Sequence, residues 1–282
     1  MGRELRGVIP AVITPFTADE QVDEPAFRKV LNLMVDHGVH GLFPVGTGGE
    51  FSALTLDEKK RLTDVAVKEV AGRAFVMPNV GAITTAESVV LARHAEAVGC
   101  DAVSAVTPFF LKPSQDELFE HYRTICAAVK LPVLAYNIPE RTGGVALSVA
   151  TVARLAREVP NFAGIKDSTG DLSNSVEFLQ ATPSGFRVFM GRDTLIFGAL
   201  LYGCAGAVAA TAPAHPYSSA PKISVSRPMK TRNPGGVAWR NSTELLRSPV
   251  LSLIPAKFDT SRASRATVAT LKATPPVRSG IL

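Results

Sequence analysis

Short apolar, β-branched runs alternate with amphipathic runs through the first 212 residues of the chain. Residues 7–16 read as a strand, and residues 24–37 carry Phe27, Val30, Leu31, Met34 and Val35 at helical spacing. The same alternation predicts strands over 41–46, 74–81, 102–107, 132–137, 162–167 and 187–193. Helices are predicted over 56–70, 85–98, 116–129, 147–159, 172–181 and 195–202, and residues 206–211 form an eighth strand. Thr85 reads as the N-cap of the third helix, with Gly99 just past its end. Strands that are apolar on both faces and alternate with helices make a parallel sheet. Eight of them in this length predict an α/β fold, a (β/α)8 TIM barrel, in preference to an open doubly wound sheet. No G-x-G-x-x-G follows the first strand, which also disfavours a dinucleotide fold.

The alternation stops at Ala212. Residues 213–282 hold nine prolines and ten serines and show no sustained helical period; 242–246 and 267–273 are the best helical fragments. Proline at that density is incompatible with a helix long enough to close a barrel. The expected organisation is therefore a barrel domain over 1–212 and an atypical, poorly ordered tail over 213–282 in place of an eighth helix. Charge divides at the same point. The whole-chain value of +5 averages −4 for residues 1–212 and +9 for 213–282, where Glu244 and Asp259 are the only acids. The basic balance belongs to the tail. Tyr217, Trp239 and Phe258 lie in it without any recognisable nucleic-acid module, so no nucleic-acid partner is expected.

At 282 residues and 46% hydrophobic content, the chain is long enough for one large core. Its first residues carry no apolar leader and no myristoylation pattern, which predicts neither secretion nor lipid anchoring. Residues 195–214 are twenty positions without a charge, but Gly198, Gly203, Gly206 and Pro213 make them read as helix, turn and strand, so no membrane partner is expected. Cys100, Cys126 and Cys204 are far apart and form no C-x-x-C, and His37 and His40 straddle Gly38 at a helix end. Neither a disulfide framework nor a metal site is predicted, and a reducing cytoplasm is the expected compartment.

In a barrel of this kind, chemistry belongs at the C-terminal ends of the strands. Lys166 ends the sixth strand, just ahead of a turn at Ser168-Thr169-Gly170. Desolvation in such a pocket disfavours a charged amine, and only a neutral amine attacks a carbonyl to form a Schiff base. Gly46-Thr47-Gly48-Gly49-Glu50 comes after the second strand, where backbone N–H groups and the Thr47 hydroxyl suit an anion. Tyr136 near the end of the fifth strand is suited to moving protons, and Arg141 shortly after it to clamping a carboxylate. Taken singly, these read as a snorkelling lysine, a tight turn, a core tyrosine and a surface arginine. Their joint placement at strand ends carries the functional reading.

Gly46–Glu50, the run Tyr136-Asn137-Ile138-Pro139 with Arg141-Thr142-Gly143, and Gly164-Ile165-Lys166-Asp167 strongly resemble the dihydrodipicolinate synthase / N-acetylneuraminate lyase family. Ile9-Pro10-Ala11-Val12-Ile13-Thr14-Pro15-Phe16 and Val106-Thr107-Pro108 match it too, so the resemblance covers residues 7–212. It implies a class I, metal-independent, pyruvate-dependent lyase that needs no cofactor and assembles as a homo-oligomer, a tetramer by analogy. Lys166 would form an imine with pyruvate or a longer 2-oxo acid, and Tyr136 would move protons. Thr47 and the amides of Gly48 and Gly49 would hold the carboxylate, with Val208 and Arg141 as further substrate-binding residues.

Three departures from the family pattern bear on substrate and integrity. Thr47 is followed by Gly48, where the synthases have a second hydroxyl residue; the Gly-Gly-Glu-Phe form resembles 2-keto-3-deoxy sugar-acid aldolases. Phe109-Phe110 stands where synthases carry paired tyrosines, whose second hydroxyl completes a relay across a subunit contact. Pro213 onward resembles neither the closing helix nor the C-terminal helices of the family, and its composition is what a GC-rich gene read out of frame gives. Aldol condensation or cleavage of the synthase type is the first reading. A keto-deoxy sugar-acid aldolase or dehydratase, and a non-catalytic barrel that binds a 2-oxo acid, remain the alternatives.

Overall fold

All eight expected strands and seven helices are present in the computed structural model, which describes residues 4–212. Strand β1 is Gly7–Pro10, helix α1 Glu24–Asp36, β2 Gly41–Leu42, α2 Leu56–Val70, β3 Phe75–Val76, α3 Thr85–Ala97, β4 Val103–Val106 and α4 Gln115–Ala128. They are followed by β5 Val133–Asn137, α5 Val149–Glu158, β6 Phe162–Asp167, α6 Leu172–Ala181, β7 Arg187–Met190, α7 Ile196–Leu201 and β8 Gly206–Ala209. The apparent membrane-length run is thus α7, a turn and β8. No helix among the described residues is long and apolar enough to cross a membrane. The tail, and with it the predicted loss of the eighth helix, lies outside the described residues.

Helix boundaries follow local capping chemistry. Pro25 sits in the first turn of α1, where its missing N–H costs nothing, and Asp23 caps the Ala26 N–H. Thr55 with Glu58 and Ser114 with Glu117 form reciprocal capping boxes at α2 and α4. The cap of α3 differs from expectation: Thr84, not Thr85, accepts the Glu87 N–H, and the Thr85 hydroxyl bonds His121 Nδ1 at 2.8 Å instead.

The strands are all parallel, and six form one continuous ladder in the order β1-β8-β7-β6-β5-β4. The shorter pair β2-β3 joins it at both ends through isolated bridges, Ala11 to Phe43 and Asn79 to Ser104. Phe43 N–H donates to the Pro10 carbonyl at 2.9 Å and Val80 N–H to the Ser104 carbonyl at 2.7 Å, so each strand bonds two neighbours around the ring. This is a TIM-barrel type fold. Most strands are shorter than the apolar runs that predicted them, β2 and β3 most of all. Pro44 and Pro78 come after these two strands and have no N–H to continue a ladder, although their carbonyls still accept at 3.0 and 2.9 Å.

The core runs through and around the ring. Ile9, Leu42, Phe43, Val103, Leu134, Ile165 and Phe189 from the strands are fully buried, as are Phe27, Leu31 and Leu62 from the covering helices. Register decides which side chains share the interior. Tyr136 lies opposite Lys166, Lys166 opposite Phe189, and Phe189 opposite Gly206. Facing partners on parallel strands point the same way and alternate residues repeat it, so Val208 on β8 and Ile9 opposite it share the face of Lys166.

Candidate active site

The apolar run Phe162-Ala163-Gly164-Ile165 carries the chain up the barrel wall and delivers Lys166 into its interior with only 4% of its surface exposed. Its ammonium nitrogen lies 3.7 Å from the ring centroid of Tyr136 and 4.5 Å from that of Phe43. Those two rings meet edge to face at 5.8 Å, a favoured aromatic geometry. Two rigid faces therefore fix the amine and keep bulk water from it. The Tyr136 hydroxyl, at the other end of its ring, is 3.0 Å from Thr47 Oγ1. Lys166 and Tyr136, near the ends of β6 and β5, and Thr47, in the turn that follows β2, thus lie together.

Phe43 is a site residue that sequence reasoning missed. Nothing in its type distinguishes it from the other core phenylalanines; the available signal was its place in the second strand, four residues before Thr47. Asp167 is the second. Its carboxylate accepts from Ser175 Oγ at 2.7 Å, Asn174 Nδ2 at 3.0 Å, the Thr169 N–H at 3.2 Å and, at 3.4 Å, Asn137 Nδ2. Asn137 in turn accepts the Leu147 N–H at 3.1 Å. A buried carboxylate with four donors is well satisfied, and it ties the start of α6 and the end of β5 to the residue beside Lys166. Gly191 is required close by, because a Cβ there would overlap Ser168 Oγ.

Thr47 owes its position to backbone that only packing can hold. Val45, a β-branched residue, has φ of 59°, in the left-handed region that such side chains avoid. Strain of this kind costs about 1–3 kcal/mol and collects at functional sites. It turns the chain from β2 into a single 3-10 turn, Thr47–Gly49. Thr14 Oγ1 donates to the Gly49 carbonyl at 2.7 Å, and a Cβ on Gly49 would come within 2.8 Å of the Val12 carbonyl. The Gly49 N–H already donates to the Gly46 carbonyl at 3.0 Å. This corrects the expectation that Gly49 supplies an anion donor: its amide closes the turn, and its missing side chain lets the turn pack on β1. Gly48 is exposed and sterically open, with nothing nearer a built Cβ than Ala11 at 3.8 Å.

The remaining sequence-predicted residues sit at the edges. Val208 is buried on the barrel's inner face by register. Arg141 is exposed in the turn after β5, and its guanidinium has no hydrogen-bond or ion-pair partner among the described residues. Phe109 stacks edge-on against Phe51 at 5.6 Å, whereas Phe110 is 89% exposed with φ of 77°. The three cysteines are free and buried, and burial is the chief cause that pushes each thiol pKa up to about 12. They are buried, unreactive thiols.

A parallel barrel with a buried lysine at the end of β6, walled by a tyrosine whose hydroxyl reaches a threonine-glycine turn, agrees with the family that the comparisons identify, one of pyruvate-dependent lyases. The chain belongs to the dihydrodipicolinate synthetase family, whose model matches residues 4–224. That match begins three residues before the stretch recognised by motif and runs twelve beyond Ala212. Among curated relatives, the 4-hydroxy-tetrahydrodipicolinate synthase of Desulforamulus reducens is 42% identical over 205 residues, 73% of this chain and 69% of the relative. The crystal structure of dihydrodipicolinate synthase from Aquifex aeolicus superposes with a TM-score of 0.74 at 34% identity, over 76% of this chain and 73% of that one. YagE, a prophage protein of the same family from E. coli K12, was solved in complex with pyruvate. It superposes with a TM-score of 0.75 at 33% identity, over 77% of this chain and 74% of its own.

Proposed function

We propose that Lys166 forms an imine with the keto carbon of pyruvate or a longer 2-oxo acid, and that the enzyme then joins it to an aldehyde as a 4-hydroxy-tetrahydrodipicolinate synthase does. The observation that carries this reading is the enclosed Lys166 amine lying against Tyr136, whose hydroxyl is bonded to Thr47. Attack of the amine on the carbonyl gives a carbinolamine. Tyr136 passes a proton to its hydroxyl, which leaves as water, and the C=N bond forms. The iminium then draws electrons from the adjacent carbon, which loses a proton to give an enamine that attacks the aldehyde. The Thr47 hydroxyl and the Gly48 N–H hold the 2-oxo acid's carboxylate, Val208 packs on its apolar edge, and Arg141 takes a carboxylate on the incoming partner. All of these groups are supplied by the protein chain.

Borohydride reduction in the presence of pyruvate tests the first step. A single pyruvate-derived adduct is expected, and peptide mapping should place it on Lys166. Protein that stays unmodified, or is modified elsewhere, would overturn the reading. A second reading, cleavage or dehydration of keto-deoxy sugar acids through the same imine, is favoured by two observations: Gly48 brings no second hydroxyl to the turn, and Phe110 has none to offer a relay. Turnover with aspartate semialdehyde against keto-deoxy sugar acids separates the two.

The resemblance and the exposed Phe110 and Leu111, at 89% and 69%, support assembly as a cytoplasmic homo-oligomer, a tetramer. Sedimentation equilibrium showing a monomer at micromolar concentration would remove that reading. We place the catalytic unit at 1–212, with 213–282 arising from a shifted reading frame, on the abrupt change of composition and charge at Ala212. Resequencing the gene across that codon decides it.

A further inference from the structure

The loops after β5, β6 and β7 meet at one ion pair. Arg192, two residues past β7, donates through its terminal guanidinium to the carboxylate of Glu140 in the turn after β5. Its Nε donates to the carbonyl of Ser168 at 3.3 Å, two residues beyond Lys166. A Cβ built on Gly170 would lie 3.5 Å from the same Nε. Because β6 lies between β5 and β7 in the sheet, the pair spans the end of the strand that carries Lys166. Both partners are about half exposed, so the pair adds little to stability. Glu140 also adjoins Arg141, whose guanidinium has no described partner.

We infer that Glu140 and Arg192 form a charge selector for the far end of the 2-oxo acid bound at Lys166. With the Glu140 carboxylate paired to it, Arg192 is neutralised and Arg141 remains the anion seat on this side. Without that carboxylate, Arg192 becomes a second seat for a distal carboxylate. The guanidinium is tied to the loop that follows Lys166: its Nε donates to the carbonyl of the second residue after that lysine. A guanidinium there is the group that would take the distal carboxylate of a five- or six-carbon 2-oxo diacid, whereas pyruvate has no second carboxylate to offer it. Glu140 thereby biases the pocket against long diacids and towards short 2-oxo acids.

The inference rests on imine formation at Lys166, and the test keeps the two separable. Half-saturating concentrations for borohydride trapping are measured with pyruvate and with 2-oxoadipate. In Glu140→Gln the value for 2-oxoadipate should fall about tenfold, as one new charge-assisted contact would give, while that for pyruvate is unchanged. In Arg192→Gln, where Glu140 is left unpaired, it should rise. The double variant should lose the gain seen in Glu140→Gln. A 2-oxoadipate value that stays fixed in both single variants, or a gain that persists without Arg192, overturns the selector. Equal movement of the pyruvate value would make the pair merely structural and overturns it too. Absence of any pyruvate adduct in the unaltered protein would instead show that the imine reading itself is at fault.

Discussion

Replacing Lys166 by methionine should stop turnover, with kcat lower by on the order of 10^4-fold or more, the scale on which a lost covalent nucleophile is felt. The side chain lies in an enclosed space bounded by the Phe43 and Tyr136 rings. An unbranched apolar chain of similar length fits such a space at little cost to packing. Lys166→Met is therefore expected to fold, with a melting temperature near or above that of the unaltered protein. Lys166→Arg supplies the control for charge. It keeps a cation at the site but cannot give up its proton at neutral pH, so it should be as inactive as the methionine variant. Steady-state assays paired with thermal melts check both. An arginine variant that retained a tenth of the activity, roughly a 1.4 kcal/mol effect, would mean that position 166 works through its charge alone.

How much of this was legible in the sequence depended on the kind of interaction involved. The ends of β6 and α6 were predictable to the residue. An apolar run bounded by Asn161 and the Ser168-Thr169-Gly170 turn can be read only one way. Lys166, Tyr136 and Thr47 stood out because each is a polar residue at the end of, or just past, an apolar run that reads as a strand. Phe43 did not, since its role comes from facing Lys166 across the barrel and not from its own chemistry. The Gly49 amide was misassigned for a related reason. A glycine-rich turn advertises free N–H groups, but whether one is free depends on the turn geometry, and the strained φ at Val45 that produces this geometry leaves no mark in composition. The Glu140–Arg192 pair joins residues 52 positions apart, and only the order of the strands brings them together.

Tyr136→Phe isolates the second half of the chemistry, because it removes one oxygen and keeps the ring. The edge-to-face contact with Phe43 and the wall behind Lys166 survive, so the pocket keeps its shape. What disappears is the hydroxyl that lies 3.0 Å from Thr47 Oγ1. Proton transfer by a positioned side chain is worth about 10²–10⁴-fold, and kcat should fall within that range. KM for the 2-oxo acid should change less, because Thr47 and Gly48 remain to hold its carboxylate. Thr47 is only half buried, so losing its partner should cost about 1 kcal/mol of stability or less. Thr47→Val provides the complementary change. It deprives Tyr136 of its hydrogen-bond partner and the substrate of a donor together, so kcat should fall while KM rises. If the two hydroxyls act as one relay, the double variant should lose little more in kcat than Tyr136→Phe alone, since groups that act as a unit are not additive. Full additivity would separate them, leaving Thr47 to bind the acid while Tyr136 moves the proton unaided.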